Sequence, residues 1–209
     1  MDPAIASNDL RSLHSAPSGR PFRTHILVSL LVFPLLSGCD VLSTHVVGDL
    51  DPSFDPNPLL GVWAGADSGN ARDTLEFGGS KLTSAIRIRE RGRNDSGLDF
   101  ILTRSDTLRF FNIPVSEEGG AVPYHVWGRF DRSGDTISMS YPDLDKFWSA
   151  VSRRKLKGKD MTKRDPNRKR SQKPDAILLT GSSKEIAEFV RKHGEIVLFT
   201  QKVKYVRVR

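Results

Sequence analysis

Cysteine is almost missing from this chain: Cys39 is the only one in 209 residues. The fold therefore cannot rest on an intramolecular disulfide and must take its stability from burial. Long apolar runs are lacking too. The stretch Ile26 to Leu36 is too short to cross a bilayer, which takes about 20 apolar residues; its length is that of a signal-peptide core. Histidine is scarce, with only His45, His125 and His193 beyond Cys39. That inventory excludes zinc-type clusters and, if Cys39 is blocked, Cys-His pairs as well, though not a Ser-His-Asp triad. Gly-rich phosphate loops, a Gly-x-Ser-x-Gly elbow and His-Glu-x-x-His are all absent from the sequence. The paired carboxylates Asp143 and Asp145, or Glu117 and Glu118, sit beside turn residues, where a helix start or a solvated loop accounts for them. The sequence points away from an enzyme and calls for no cofactor and no metal.

What is present begins with an address. Arg20 and Arg23 flank the apolar stretch on its N-terminal side, and the small residues Ser37 and Gly38 stand just before Cys39. The run Leu36-Ser37-Gly38-Cys39 resembles the lipobox of bacterial lipoproteins. The resemblance implies that residues 1–38 are a cleaved signal peptide and that Cys39 becomes the lipidated first residue of a membrane-anchored, periplasm-facing protein of the cell envelope. Asp40 resembles the residue that holds lipoproteins in the inner membrane of enteric bacteria, a rule that varies among bacteria, so inner and outer membrane both stay open. Residues 1–38 carry Arg11, Arg20 and Arg23 against Asp2 and Asp9, so their loss changes the formal charge of +7 by one unit. The remainder stays basic.

Residues 39–58 read as a lipid anchor followed by a Pro-rich tether, because Asp-Pro and Asn-Pro steps hold a chain extended and outside a sheet. Residues 59–209 are expected to form a single globular domain. Ser84 to Glu90 alternates apolar and charged residues, the period of a half-buried strand. Further strands are expected over Leu98–Thr103, Thr107–Ile113, Val122–Phe130, Thr136–Tyr141, Ala176–Thr180, Glu195–Phe199 and Val203–Val208, with turns at 92–97, 117–120 and 131–135. Leu144, Phe147, Trp148 and Val151 form a helical stripe after Pro142-Asp143. Ser182 and Glu185 make a capping box for a second helix that Gly194 stops. The expected class is α+β and strand-dominated, an antiparallel meander sheet or small barrel with two packed helices.

Two features could carry a function. Gly61-Val62-Trp63 resembles the first-strand Gly-x-Trp of lipocalins and lipocalin-like bacterial domains, which implies a barrel floor where Trp63 meets a late arginine, Arg207 or Arg209. The segment Ile177 to Phe199 resembles the end of small bacterial lipoproteins of unassigned role, which implies a shared fold without an activity. From Arg153 to Lys173, eleven cations face Asp160 and Asp165, a balance of +9. Such a density reads as a solvated basic loop at about 157–174, with Lys159, Lys163, Arg164, Arg168, Lys169, Arg170 and Lys173 available to anionic lipid headgroups. It contains no aromatic for base stacking, and export removes it from the genome, so no nucleic acid partner is expected. The expected function is a non-catalytic binding or assembly module, with an envelope protein as the other expected partner. The alternative is a lipocalin-like carrier of a small apolar ligand. The residues expected to point inward, Trp63, Phe77, Ile86, Ile88, Phe100, Leu102 and Phe110, are bulky enough to favour a filled core.

Overall fold

The computed structural model describes residues 41–51, 53–66, 74–80, 85–91, 97–115, 124–162 and 173–209. Among them are twelve strands: β1 (Val41–Ser43), β2 (Asp49–Leu50), β3 (Gly61–Gly65), β4 (Thr74–Gly79), β5 (Ala85–Glu90), β6 (Leu98–Ser105), β7 (Leu108–Val115), β8 (Tyr124–Ser133), β9 (Thr136–Pro142), β10 (Gly158–Asp160), β11 (Ile177–Leu179) and β12 (Phe199–Arg207). Helices α1 (Leu144–Ser152), α2 (Ser183–His193) and the short α3 (Glu195–Leu198) lie between them.

Strands β3 to β9 pair antiparallel in chain order, and β12 closes the ring by pairing with both β9 and β3. The result is an eight-stranded antiparallel barrel. All eight strands send apolar side chains into one cluster, including Trp63, Phe77, Ile86, Phe100, Phe111, Phe130, Met139 and Tyr205. The rings meet edge to face or stacked, with Phe100 5.5 Å from Phe77, 5.5 Å from Phe111 and 5.8 Å from Phe130. Gly128 leaves room for the Phe111 ring. A Cβ there would lie 2.4 Å from the Ser140 carbonyl and 2.7 Å from the Phe111 ring.

Strand β8 is long enough to serve two neighbours. Its later residues, Arg129 to Ser133, pair with β9, whereas Val126 and His125 pair with Leu42 and Ser43 of β1. From β1 the sheet continues through β11, parallel, to β10. This wing, the outer faces of β7 and β8, and the helices enclose a second core built from Val41, Phe110, Trp127, Phe147, Ile177, Ile186, Phe189 and Phe199, among others. The helices begin as their sequences dictate. Asp143 caps α1 by accepting from the Lys146 N–H at 3.1 Å, and Ser182 with Glu185 forms the reciprocal capping box of α2.

Four expectations are corrected. The tether expected before Leu59 is instead folded from Val41 on: Val41 and Val47 are fully buried, and Leu59 packs into the barrel. A buried polar set explains it, since the Asn112 carboxamide accepts from the Val47 N–H at 2.8 Å and donates to Thr103 Oγ1 at 2.9 Å, while Thr103 donates to the Val47 carbonyl. Phe110 belongs to the second core, because Phe111 and Ile113 take the inward positions of β7 and strand alternation sends Phe110 outward. The strand expected over Glu195–Phe199 is helix up to Leu198: α3 occupies Glu195–Leu198, the Leu198 carbonyl accepts from the Asp143 N–H at 2.8 Å, and β12 starts only at Phe199. The basic stretch is not loop throughout, since Leu156 is buried and Gly158–Asp160 pairs with β11.

Candidate functional site

The barrel has one end at which β3 starts and β12 finishes, and the segment before β3 crosses it. Asn57–Leu59 forms a short 3-10 turn, with Pro at its start, that delivers Leu59 into the barrel. Gly61 then turns the chain into β3 with φ +119°, a conformation that L side chains rarely adopt. Two residues later the Trp63 indole N–H donates to the Leu59 carbonyl at 2.7 Å, so the ring is tied to the turn that precedes it. Arg207, on the neighbouring β12, lies over the Trp63 ring with its Cζ 4.9 Å from the centroid and donates to the Pro58 carbonyl. A guanidinium over an indole face is attracted by the ring quadrupole. Trp63, Arg207 and the turn thus lock one half of the barrel end. Arg209, the other arginine considered for this position, instead pairs with Asp135 at 2.6 Å on the exterior.

The other half of the same end holds a pocket of about 220 Å³. Its walls include Phe54, Leu59, Leu102 and Phe130, and its rim carries Asp51, Asp55, Arg104, Arg109 and Arg132. Asp51 is buried and accepts from the Ser53 hydroxyl at 2.6 Å and the Ser53 N–H at 3.0 Å, with Arg104 3.8 Å away. The Ser53 hydroxyl bond, opposed by burial and helped by the Ser53 N–H and the Arg104 charge, holds this carboxyl below its ordinary range. Arg104, Arg109 and Arg132 are not marked in the sequence as a set. Arg104 and Arg132 stand two residues past the inward-facing Leu102 and Phe130, a readable signal, whereas Arg109 stands two residues before Phe111, whose inward direction the pattern leaves open.

A second hollow, an open groove of about 600 Å³, runs between the end of α1 and the outer face of α2 and is lined by Arg154, Lys155, Lys157, Glu185, Phe189 and Lys192, among others. Lys157 is held by Glu185 at 3.1 Å, and His193 stacks on Phe189 with centroids 4.2 Å apart. Cations here follow two helix C-termini, where they complement the dipole. Among the described residues no group of three His, Cys, Asp or Glu is placed to hold a metal.

The remaining sequence candidates are only partly brought together. Lys159 lies exposed on the edge strand β10, and Lys173 pairs with Asp145 of α1 at 2.8 Å. Lys163, Arg164, Arg168, Lys169 and Arg170 lie outside the described residues, as do Cys39, the signal segment and the turn expected at 117–120. Val41, Ile177 and Asp160 stand side by side across β1, β11 and β10, so the chain enters β1 at the sheet end where the segment 161–176 leaves and returns. Because β1 is antiparallel to β8, that end is the one toward which β8 runs, the end that carries Arg132. Comparison of the chain with protein-family models, with curated proteins and with solved structures finds no match.

Proposed function

We propose that the chain is a lipid-anchored protein of the bacterial cell envelope that works as a non-catalytic binding or assembly module. The single observation that carries the reading is the run Leu36-Ser37-Gly38-Cys39 standing two residues ahead of β1. An acyl group on Cys39 would hold the start of β1 within about 7 Å of the bilayer, the greatest reach of two residues. The shared sheet end supports the same reading, since the anchor and a segment bearing Lys163, Arg164, Arg168, Lys169 and Arg170 would meet the membrane together. Acylation plus a basic patch is the combination that makes attachment stable, each cation near an anionic surface adding about 1 kcal/mol.

The test is fractionation of cells expressing the native chain and Cys39→Ala, with incorporation of labelled fatty acid. Loss of label together with release of the variant from membranes is the expected outcome; an unlabelled native chain or an unchanged distribution defeats the proposal. A lipocalin-like carrier remains the second reading, favoured by the Trp63 and Arg207 pair and opposed by the packing of side chains from all eight strands inside the barrel. A stoichiometric apolar ligand in native mass spectra of the protein from its own host would reverse that preference.

A further inference from the structure

Three neighbouring strands end their inward-facing rows in arginine. Along β6 the row is Phe100, Leu102, Arg104; along β7, read backwards, Ile113, Phe111, Arg109; along β8, Val126, Gly128, Phe130, Arg132. Residues two apart on a strand share a face, so the three side chains finish at one end of the barrel over the layer formed by Leu102, Phe111 and Phe130. Leu59 and the Trp63 floor occupy the other half of that end, and the 220 Å³ pocket is what lies between. Arg104 and Arg109 are direct cross-strand partners. Like charges in that position destabilise a strand pair, and the carboxylate that reaches Arg104, Asp51, is already engaged by Ser53. Among the described residues Arg109 and Arg132 have no carboxylate within ion-pair distance. The rim carries Arg104, Arg109 and Arg132 against Asp51 and Asp55, one positive charge in excess.

We propose that this pocket binds a monoanionic oxyanion, carboxylate or phosphodiester, carried on a short apolar stem. Arg109 and Arg132 donate to the oxyanion, and Phe54, Leu102 and Phe130 receive the stem. Guanidinium forks match both kinds of oxyanion in geometry, and the single excess charge matches a monoanion. At about 220 Å³ the pocket lies below the range of about 300–1,000 Å³ usual for drug-sized ligands; it admits a head group and a few carbons but not a long acyl chain. A free small acid and a lipid headgroup present the same chemistry. The proposal stands apart from acylation of Cys39, which fractionation tests separately.

Calorimetric titration of the full chain with hexanoate, and separately with a short-chain monomeric phosphatidylglycerol, tests it. Saturable one-to-one binding of either probe is expected, weakened at least about tenfold, or about 1.4 kcal/mol, in Arg109→Gln/Arg132→Gln. The control Arg153→Gln/Arg191→Gln removes the same charge outside the pocket and should bind as the native chain does. Melting of the pocket variant should hold or rise as like-charge repulsion falls, and Arg132→Gln alone serves if the pair unfolds. Binding of hexanoate alone identifies a free acid as the natural class, and binding of phosphatidylglycerol alone a headgroup. Absence of saturable binding of both probes up to about 10 mM, or equal weakening in the two double variants, overturns the proposal.

Discussion

The barrel core and the core beneath the helices are both rich in aromatic rings but differ in how they are assembled. In the barrel each strand packs against the next in sequence, and the enclosed side chains are almost wholly apolar. The second core joins Val41, Phe110, Trp127, Phe147, Ile177 and Phe199, residues far apart in the sequence, and beside it Ser43, Thr103, Asn112 and His125 are buried. A buried polar group costs free energy unless it is hydrogen-bonded, so the second region depends on a few specific bonds, those of Asn112 and Thr103 foremost, where the barrel depends on area. The wing should therefore loosen before the barrel does.

The largest effect should come from the barrel. Phe100→Ala removes the ring at the centre of three aromatic contacts, and should cost about 3–5 kcal/mol, the range for emptying a fully buried aromatic site. Since those contacts join β4, β6, β7 and β8, hydrogen exchange should show all strands losing protection together. Loss confined to the wing would show that the two cores are reversed in rank.

Next comes Asn112→Ala, which leaves the Val47 N–H and Thr103 hydroxyl without their buried carboxamide partner. An unsatisfied buried group costs about 1–3 kcal/mol, and the damage should be regional. Amides of residues 43–50 should exchange faster while those of β4 and β5 stay protected. Uniform acceleration across the chain would mean that wing and barrel unfold as one unit, and the contrast drawn between them would fail.

These two sites also mark what the sequence displays and what it hides. Alternation in Ala85–Glu90, the capping box at Ser182 and the pairing of Trp63 with a late arginine are local or motif-borne, and the antiparallel run of β3 to β9 follows from the succession of such strands, whereas the wing of β1, β11 and β10 does not. Phe110 and Phe111 are equally apolar, so the pattern alone offers both registers; Asn112 decides between them by requiring a polar partner that only Val47 and Thr103 supply. The stretch before Leu59 reads as a tether because its prolines are conspicuous, whereas the bonds holding it down come from residues more than 50 positions away. The three rim arginines look like solvated strand ends until closure of the ring brings their rows to one opening.

A smaller, stabilising effect is expected at Arg154. This residue follows the cap of α1 with φ 57°, and its N–H reaches the Val151 carbonyl at 2.9 Å while the Lys155 N–H reaches Ala150 at 2.8 Å, the paired closure of a helix end that favours glycine. Arg154→Gly should raise stability by about 1 kcal/mol by removing left-handed strain, seen as a higher melting temperature. If it lowers stability instead, the cation contributes more to the groove than its backbone costs, and the second core relies on charge as well as on apolar contact.

The smallest effect is one of pH and again separates the regions. His125 on β8 is buried beside Ser43 of β1, and burial, together with the nearby His45 charge and against a bond to the Ser43 backbone, lowers its pKa from the ordinary 6.5. The folded state then holds the neutral ring while the unfolded chain takes up a proton, so the unfolded state binds more protons as acid is added. This contribution is fully present above 6.5 and is lost as pH falls from there through the lowered folded value. Asp51, Glu76 and Glu185 also have lowered values, but their ordinary pKa lies at 3.8 to 4.5, so their contributions are lost only in stronger acid. Stability measured by urea denaturation should therefore fall on passing from pH 7 to about pH 5, and His125→Gln should flatten that part of the profile. Hydrogen exchange at pH 5 should show the loss at β1 and β11 first, because His125 faces the wing and the barrel interior contains no histidine among its described residues. A slope that survives His125→Gln would move the acid sensitivity to another group and leave the wing no weaker than the barrel.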